Sequence, residues 1–141
     1  MIQFTALNKF EIANENAIRD WVQFVLDQEF KELGEINYVF CDDDYLLEMN
    51  IKELNHNTLT DIISMDYTVG NLVSGDIFIS IDRVRENAKE LAIPFMEELC
   101  RVMVHGVLHY CGYKDKRSED KLLMREKEDY YLSLRTFNKQ E

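Results

Sequence analysis

The sequence predicts an α+β fold, with a mixed sheet of about four strands packed by about five helices. Three observations favour this class. Short segments of alternating polarity are interspersed with longer segments whose apolar residues recur at helical spacing. No linker, repeat or low-complexity segment interrupts the pattern. The length of 141 residues suits one buried core, so residues 1–141 are expected to form a single domain.

The first elements are a strand over residues 2–7 and a long helix. The helix is predicted to begin after Asn14, which suits an N-cap, and to end at Gly34. Residues 36–40 alternate in polarity and form the second strand. The helix is expected to bury Ala17, Ile18, Trp21, Val22, Val25 and Leu26.

The middle of the chain predicts a helix and two strands. Aspartates 42–44 could bind a metal, but we interpret them as the acidic first turn of a helix over residues 45–54. Strands are predicted over residues 61–67 and 76–80, with residues 70–75 as the loop between them. The inner face of the helix is expected to comprise Leu47, Asn50, Ile51 and Leu54.

Three further helices complete the chain. One covers roughly residues 82–91. Pro94, the only proline, suits the first turn of a long, central helix that carries His105 and His109. The last helix begins at Ser118 and is expected to bury Leu123, Tyr130 and Leu134.

The most informative motif lies at the end of the central helix. His105 and His109 are one turn apart, so both imidazoles can face one ion. Gly112 can adopt the left-handed conformation that ends a helix and reverses the chain, and Asp115 can then approach from a third direction. The spacing H-x-x-x-H-x-x-G-x-x-D matches the metzincin zinc motif H-E-x-x-H-x-x-G-x-x-H, with aspartate in the third position. We predict an open metal site with ligands His105, His109 and Asp115.

Other interpretations of these residues stay open. A histidine pair at this spacing can arise by chance, and Asp115 could belong to a solvated cluster with Lys114 and Lys116. The four positions together favour a site for one Zn²⁺ ion. Two histidines with a carboxylate also occur in non-haem iron enzymes, so another divalent metal is an alternative. Cys111 is not predicted to be a ligand, because it points to the opposite side of the helix from His109.

Gly106 occupies the position at which the metzincins carry a glutamate that acts as general base. Because glycine has no side chain, a peptidase of the usual mechanism is disfavoured. Water activation would then depend on the metal, on a group from elsewhere in the chain, or on the substrate. The catalytic residue therefore stays unknown, with a metal-bound water as the expected reacting group.

Composition and charge narrow the expected cellular location and binding partners. A hydrophobic content of 46% with 30% charged residues is ordinary for a soluble globular protein. No apolar segment is long enough to span a membrane, no signal-peptide pattern is seen, and three unclustered cysteines suit a reducing compartment, so we expect a cytoplasmic protein. The net charge of −11 argues against broad attraction to nucleic acid or anionic lipid. A local basic cluster beside the predicted ligands comprises Lys114, Lys116, Arg117, Lys121 and Arg125.

With these residues the chain resembles the YbeY family of metal-dependent single-strand endoribonucleases of bacterial ribosomal RNA maturation. The family signature H-G-x-L-H-L-x-G-Y-D-H corresponds to H-G-V-L-H-Y-C-G-Y-K-D, from His105 to Asp115. The resemblance covers about residues 38–134. Two further family blocks follow the same order and spacing: Met49-Asn50 with T-D-I-I-S-M at residues 60–65, and G-D-I-F-I-S at residues 75–80.

The chain departs from the family at two functional positions. Asp115 stands in place of the third histidine, and Leu54 stands where the family has an arginine. The resemblance therefore implies His105, His109 and Asp115 as ligands and leaves the role of the arginine absent or taken by another residue. A carboxylate is anionic, so we expect it to acidify bound water less, with a higher pH optimum or slower chemistry than a site of three histidines.

The resemblance implies a hydrolase that cleaves single-stranded ribosomal RNA in small-subunit maturation and ribosome quality control. Its implied partners are RNA, the small subunit and the basic proteins of that subunit, with no membrane. One alternative is a non-catalytic ribosome-assembly factor with a structural or vestigial metal site, which the absent arginine and the acidic charge favour. A metallopeptidase is a weaker alternative. His56 is interpreted as a loop or capping residue, and Asp61 and Asp76 as shaping the cleft or holding loop backbone.

Overall fold

A computed structural model describes residues 1–54 and 60–137, and in these ranges four strands and five helices follow one another. The predicted α+β class is confirmed. His56 lies outside the described residues. The elements are β1 (Ile2–Ala6), α1 (Glu15–Gln28), β2 (Glu32–Cys41), α2 (Asp43–Leu54), β3 (Ile62–Asp66), β4 (Leu72–Ser80), α3 (Ile81–Leu91), α4 (Phe95–Tyr110) and α5 (Ser118–Ser133).

The four strands form one mixed sheet in the order β1-β2-β4-β3. β1 pairs parallel with β2, and β2 parallel with β4, whereas β3 runs antiparallel to β4. Successive side chains of a strand point to opposite faces, and the face that carries Tyr38, Phe40, Ile77 and Ile79 is fully buried. β3 is therefore an edge strand of the described sheet, and it borders the site described below.

The central helix α4 is fixed to the sheet by buried hydroxyl groups. The Tyr38 hydroxyl on β2 donates a hydrogen bond of 3.1 Å to the backbone oxygen of Met103. The Tyr110 hydroxyl lies 3.1 and 3.0 Å from the backbone oxygens of Met65 and Asp76, on β3 and β4. The last turn of α4, which carries His109, is therefore held against two neighbouring strands.

Gly34 was predicted to end a helix and Gly75 to lie in a loop, and both predictions are wrong. α1 ends at Gln28, and Gly34 lies within β2, where a Cβ would overlap Ser74 on β4. Gly75, predicted to lie in a loop, belongs to β4, where a Cβ would come within 2.5 Å of the Tyr110 ring. In both cases the glycine permits a close approach within the fold, which sequence alone does not distinguish from a turn.

Two helix faces also differ from the prediction. In α2 the predicted inner residue Asn50 is buried, but Leu46 is buried as well and Ile51 is 46% exposed. Leu123 and Tyr130 of α5, and Leu134 directly after it, are 39–47% exposed. The buried residues of α5 are instead Met124, Glu128, Tyr131 and Leu132. Because the inner face of α5 contains a glutamate, the spacing of the apolar residues alone predicts a different face.

Within the described ranges, no helix has both the length and the apolarity that crossing a bilayer requires.

Candidate metal centre

The three predicted ligands meet at one point beside α4. The Nε2 atoms of His105 and His109 are 3.0 Å apart. The Oδ2 atom of Asp115 lies 3.2 Å from Nε2 of His105 and 3.1 Å from Nε2 of His109. For tetrahedral zinc with bonds of about 2.0–2.1 Å, adjacent ligand atoms lie about 3.3 Å apart. The triangle of donor atoms therefore has the size that a small divalent cation requires.

The hydrogen bonds on the far side of each ring determine which nitrogen carries a lone pair. His109 Nδ1 is 3.0 Å from the backbone oxygen of Tyr113, and His105 Nδ1 is 2.7 Å from Oε2 of Glu128. A carbonyl or carboxylate oxygen only accepts, so in a neutral imidazole Nδ1 carries the hydrogen and Nε2 carries the lone pair. Two lone pairs and a carboxylate oxygen therefore face one another. A cation between them would relieve this repulsion.

Glu128 is the functional residue that sequence reasoning missed. It is 5% exposed, and its second oxygen, Oε1, accepts a hydrogen bond of 2.9 Å from Arg101. Arg101 also bonds Asp129, at 2.6 Å. Burial lowers the pKa of His105, but the hydrogen bond and charge of Glu128 raise it above its usual value, with a contribution from Asp115. The signal in the sequence was a glutamate among the apolar residues of α5.

The turn after α4 brings Asp115 to the histidines. Gly112 has a φ of 105°, which confirms the expected turn at this glycine. The next residue, Tyr113, donates its backbone N–H to the oxygen of Leu108 at 3.1 Å. Cys111 packs against the hydrophobic core, and burial raises the pKa of its thiol to about 12. Its thiol is not among the three convergent donors.

A partly buried carboxylate at the C-terminal end of α1 fixes the far side of this turn. Glu29 accepts a hydrogen bond of 2.7 Å from the Tyr113 hydroxyl and another from the Tyr131 hydroxyl, and Lys127 lies 3.5 Å away. Burial raises the pKa of Glu29, but these hydrogen bonds and the Lys127 charge lower it below its usual value. The connection that carries Asp115 is thus joined to both α1 and α5.

A cleft of about 830 Å³ opens beside the three donors. One wall is the edge strand β3, with Ile62, Ile63 and Ser64. From the predicted basic cluster, the cleft is lined by Lys116, Lys121 and Arg125. Lys114 and Arg117 are not among the lining residues, and Arg117 pairs with Glu119 at 2.6 Å.

The two aspartates beside the family blocks have different positions. Asp61 lines the cleft, where burial raises its pKa. Asp76 instead lies in the sheet, where its carboxylate accepts a hydrogen bond of 2.9 Å from the Asn37 amide. Of these two aspartates, only Asp61 can therefore contribute to the chemistry of the cleft.

Gly106 faces the sheet. A Cβ at this position would lie 3.0 Å from Cδ1 of Ile77 and 3.2 Å from Cδ1 of Ile62. A glutamate would have to displace these side chains, so the close packing of α4 on the sheet accounts for the absence of the peptidase general base.

Comparisons with known proteins identify the family of this chain. A family model described as "Endoribonuclease YbeY" matches residues 3–135. The protein named endoribonuclease YbeY of Flavobacterium psychrophilum is 60% identical over 95% of this chain and 96% of its own. Its namesake in Flavobacterium johnsoniae is 56% identical over the same shares, and that of Christiangramia forsetii is 46% identical over 94% and 93%.

One solved structure has the same fold. The solution structure of TM1509 from Thermotoga maritima aligns with a TM-score of 0.68, over 94% of this chain and 87% of that one. Its sequence identity is 23%, so the likeness supports the fold alone.

Proposed function

The chain belongs to the YbeY family of endoribonucleases, and from that premise we propose that it hydrolyses single-stranded RNA beside His105, His109 and Asp115. Its substrate would be ribosomal RNA of the small subunit during maturation and quality control. As an endoribonuclease it is a hydrolase that cleaves phosphodiester bonds within RNA.

One observation carries the proposal. Three acceptor atoms, Nε2 of His105, Nε2 of His109 and Oδ2 of Asp115, lie 3.0–3.2 Å from one another. These atoms would hold the metal. Two imidazoles and one carboxylate suit Zn²⁺, and another divalent metal such as iron is the alternative. When bound, the ion supplies the Lewis acidity that polarises a phosphoryl oxygen or acidifies water.

The remaining chemistry belongs to the chain itself. Glu128 and the Tyr113 carbonyl hold the two rings in the orientation that directs both Nε2 atoms at one point. Lys116, Lys121 and Arg125 on the rim would attract RNA phosphates to the cleft of a protein whose net charge is −11. Much of the remaining surface would be acidic and would suit docking on basic ribosomal proteins. We propose that this takes place in the cytoplasm.

The test is cleavage of an unstructured, end-labelled RNA by the purified chain. We expect cleavage that a chelator stops, that one divalent metal restores, and that His109→Ala abolishes. Glu126→Gln, an exposed change on α5, is the control and should cleave normally. The metal content of freshly purified protein would identify the ion. Cleavage that survives both chelation and His109→Ala would contradict the proposal.

A non-catalytic ribosome-assembly factor is the second candidate, favoured by Leu54 at the position of the family arginine. It predicts binding to small subunits without RNA cleavage under any metal. A peptidase is disfavoured by the packing at Gly106, and hydrolysis of casein would be needed to support it.

A further inference from the structure

We propose that the cleft contains a nucleobase subsite in which the carboxylate of Glu98 binds guanine. The subsite would hold a nucleotide close to the scissile phosphate and would give the enzyme a base preference. This inference deepens the proposed function and rests on it.

The position of Glu98 suits a base close to the metal centre. Glu98 lies on α4 two turns before His105, on the same face of the helix, and both residues line the cleft. Seven residues of helix span about 10 Å, a distance that a single nucleotide can bridge. A nucleic-acid strand with its phosphate at the metal centre can therefore place a neighbouring base at Glu98.

One oxygen of the Glu98 carboxylate lacks a hydrogen-bond donor among the described residues. The residue is 6% exposed, and its Oε1 atom has no hydrogen-bond partner among the described residues. The neighbouring cation, Arg101, already bonds Glu128 and Asp129. A buried carboxylate oxygen without a donor is energetically unfavourable. A donor from a ligand in the cleft would relieve this cost.

A cation is a poorer occupant than a base. Burial raises the pKa of Glu98, and the charge of Asp61 raises it further, so two carboxylates face the same region. Among the described residues, only His105, His109 and Asp115 form a group of three convergent metal ligands. Asp61 and Glu98 therefore lack the third ligand that a metal ion would need from the protein.

The shape and chemistry of this region favour guanine. Ile62, Val102 and Met124 supply apolar surface on which a planar ring can lie. Guanine presents two adjacent N–H donors on its Watson–Crick edge, which match the two oxygens of a carboxylate. Adenine and cytosine place an acceptor beside their amino group, and uracil flanks its single donor with two carbonyls. We therefore expect the order guanine, then adenine or cytosine, then uracil.

The test uses uridine-only RNA in which one position carries guanosine, inosine or uridine. Inosine keeps the ring N–H of guanine and lacks its amino group. Affinity is measured by fluorescence anisotropy on the chain as purified, with electrophoresis showing that the RNA stays intact. We expect guanosine RNA to bind about tenfold more tightly than uridine RNA, with inosine between them. Cleavage should concentrate at a fixed spacing from the guanosine.

The matched variants are Glu98→Gln, which keeps the size of the side chain, and Glu126→Gln on the exposed face of α5. Glu98→Gln should reduce the guanosine preference to within about twofold, mainly through KM. Glu126→Gln should keep the full preference. The inosine comparison uses the unmodified chain, so it tests the subsite even if Glu98→Gln folds poorly.

Equal affinity for the three RNAs would overturn the subsite, as would a Glu98→Gln variant that keeps the preference. Failure of the proposed function gives a different result. Guanosine-selective binding without cleavage under any metal would refute the nuclease and support the subsite. Metal-dependent cleavage without base preference would support the nuclease and refute the subsite.

Discussion

The two sides of the proposed metal centre are supported in different ways. His105 lies on a helix packed against the sheet, and its ring is bonded to Glu128, which is 5% exposed and held by Arg101. Asp115 lies on the connection after Gly112, and its side chain is 39% exposed. We propose that the histidines, which have the more buried support, define the site and that the more exposed Asp115 completes it. The predictions below test this difference, from the largest expected effect to the smallest.

Loss of a helical ligand should have the largest effect. His109→Ala leaves one imidazole and one carboxylate, so metal affinity should fall by at least about a hundredfold and cleavage should be lost. Competition with a chromophoric chelator measures the affinity, and Glu126→Gln is the control. An affinity within twofold of the unmodified chain would mean that the metal binds elsewhere.

Loss of the support behind His105 should come next. Glu128→Gln removes the carboxylate that orients the ring, and we expect metal affinity to fall by about 10–100-fold. Asp129→Asn is the matched control, because Asp129 bonds the same Arg101 but is not bonded to His105. If both variants lose affinity equally, the effect comes from Arg101 or from helix packing instead.

Metal binding should tolerate a change at Asp115. Asp115→His replaces an anionic ligand by a neutral one, so the metal should acidify water more strongly. The pH profile of cleavage should move to lower pH by about one unit, with metal affinity retained. An unchanged profile would show that the charge of Asp115 does not control the chemistry.

The contacts of Glu29, which hold the connection that carries Asp115, should affect the free energy of unfolding more than metal affinity. Glu29 has a lowered pKa, so its stabilising effect is present above the unfolded value of about 4.5 and is lost as the pH falls through the folded value. Glu29→Gln should lower the free energy of unfolding by about 1–2 kcal/mol at pH 7. Between pH 7 and pH 4 the variant should lose less stability than the unmodified chain. Denaturant titrations at pH 7 and pH 4 measure both effects. An equal loss of stability at the two pH values would contradict the role of the charge.

The parts of the fold that depend on local spacing could be predicted from the sequence. The positions of His105, His109 and Gly112 follow from helix periodicity and from the conformational freedom of glycine. The contribution of Glu128 could not be predicted, because it depends on how α5 packs against α4. Gly34 and Gly75 were misassigned for the same reason, since the atoms that require a glycine lie on other elements.

The bond between His105 and Glu128 joins positions separated by 23 residues. On a ribosome that is still translating this chain, both histidines emerge before the glutamate that holds the first of them. The centre would reach its full affinity for metal only after α5 has been synthesised and has packed. Such a delay would keep an RNA-cutting enzyme inactive while it is still attached to the RNA-rich machine that makes it.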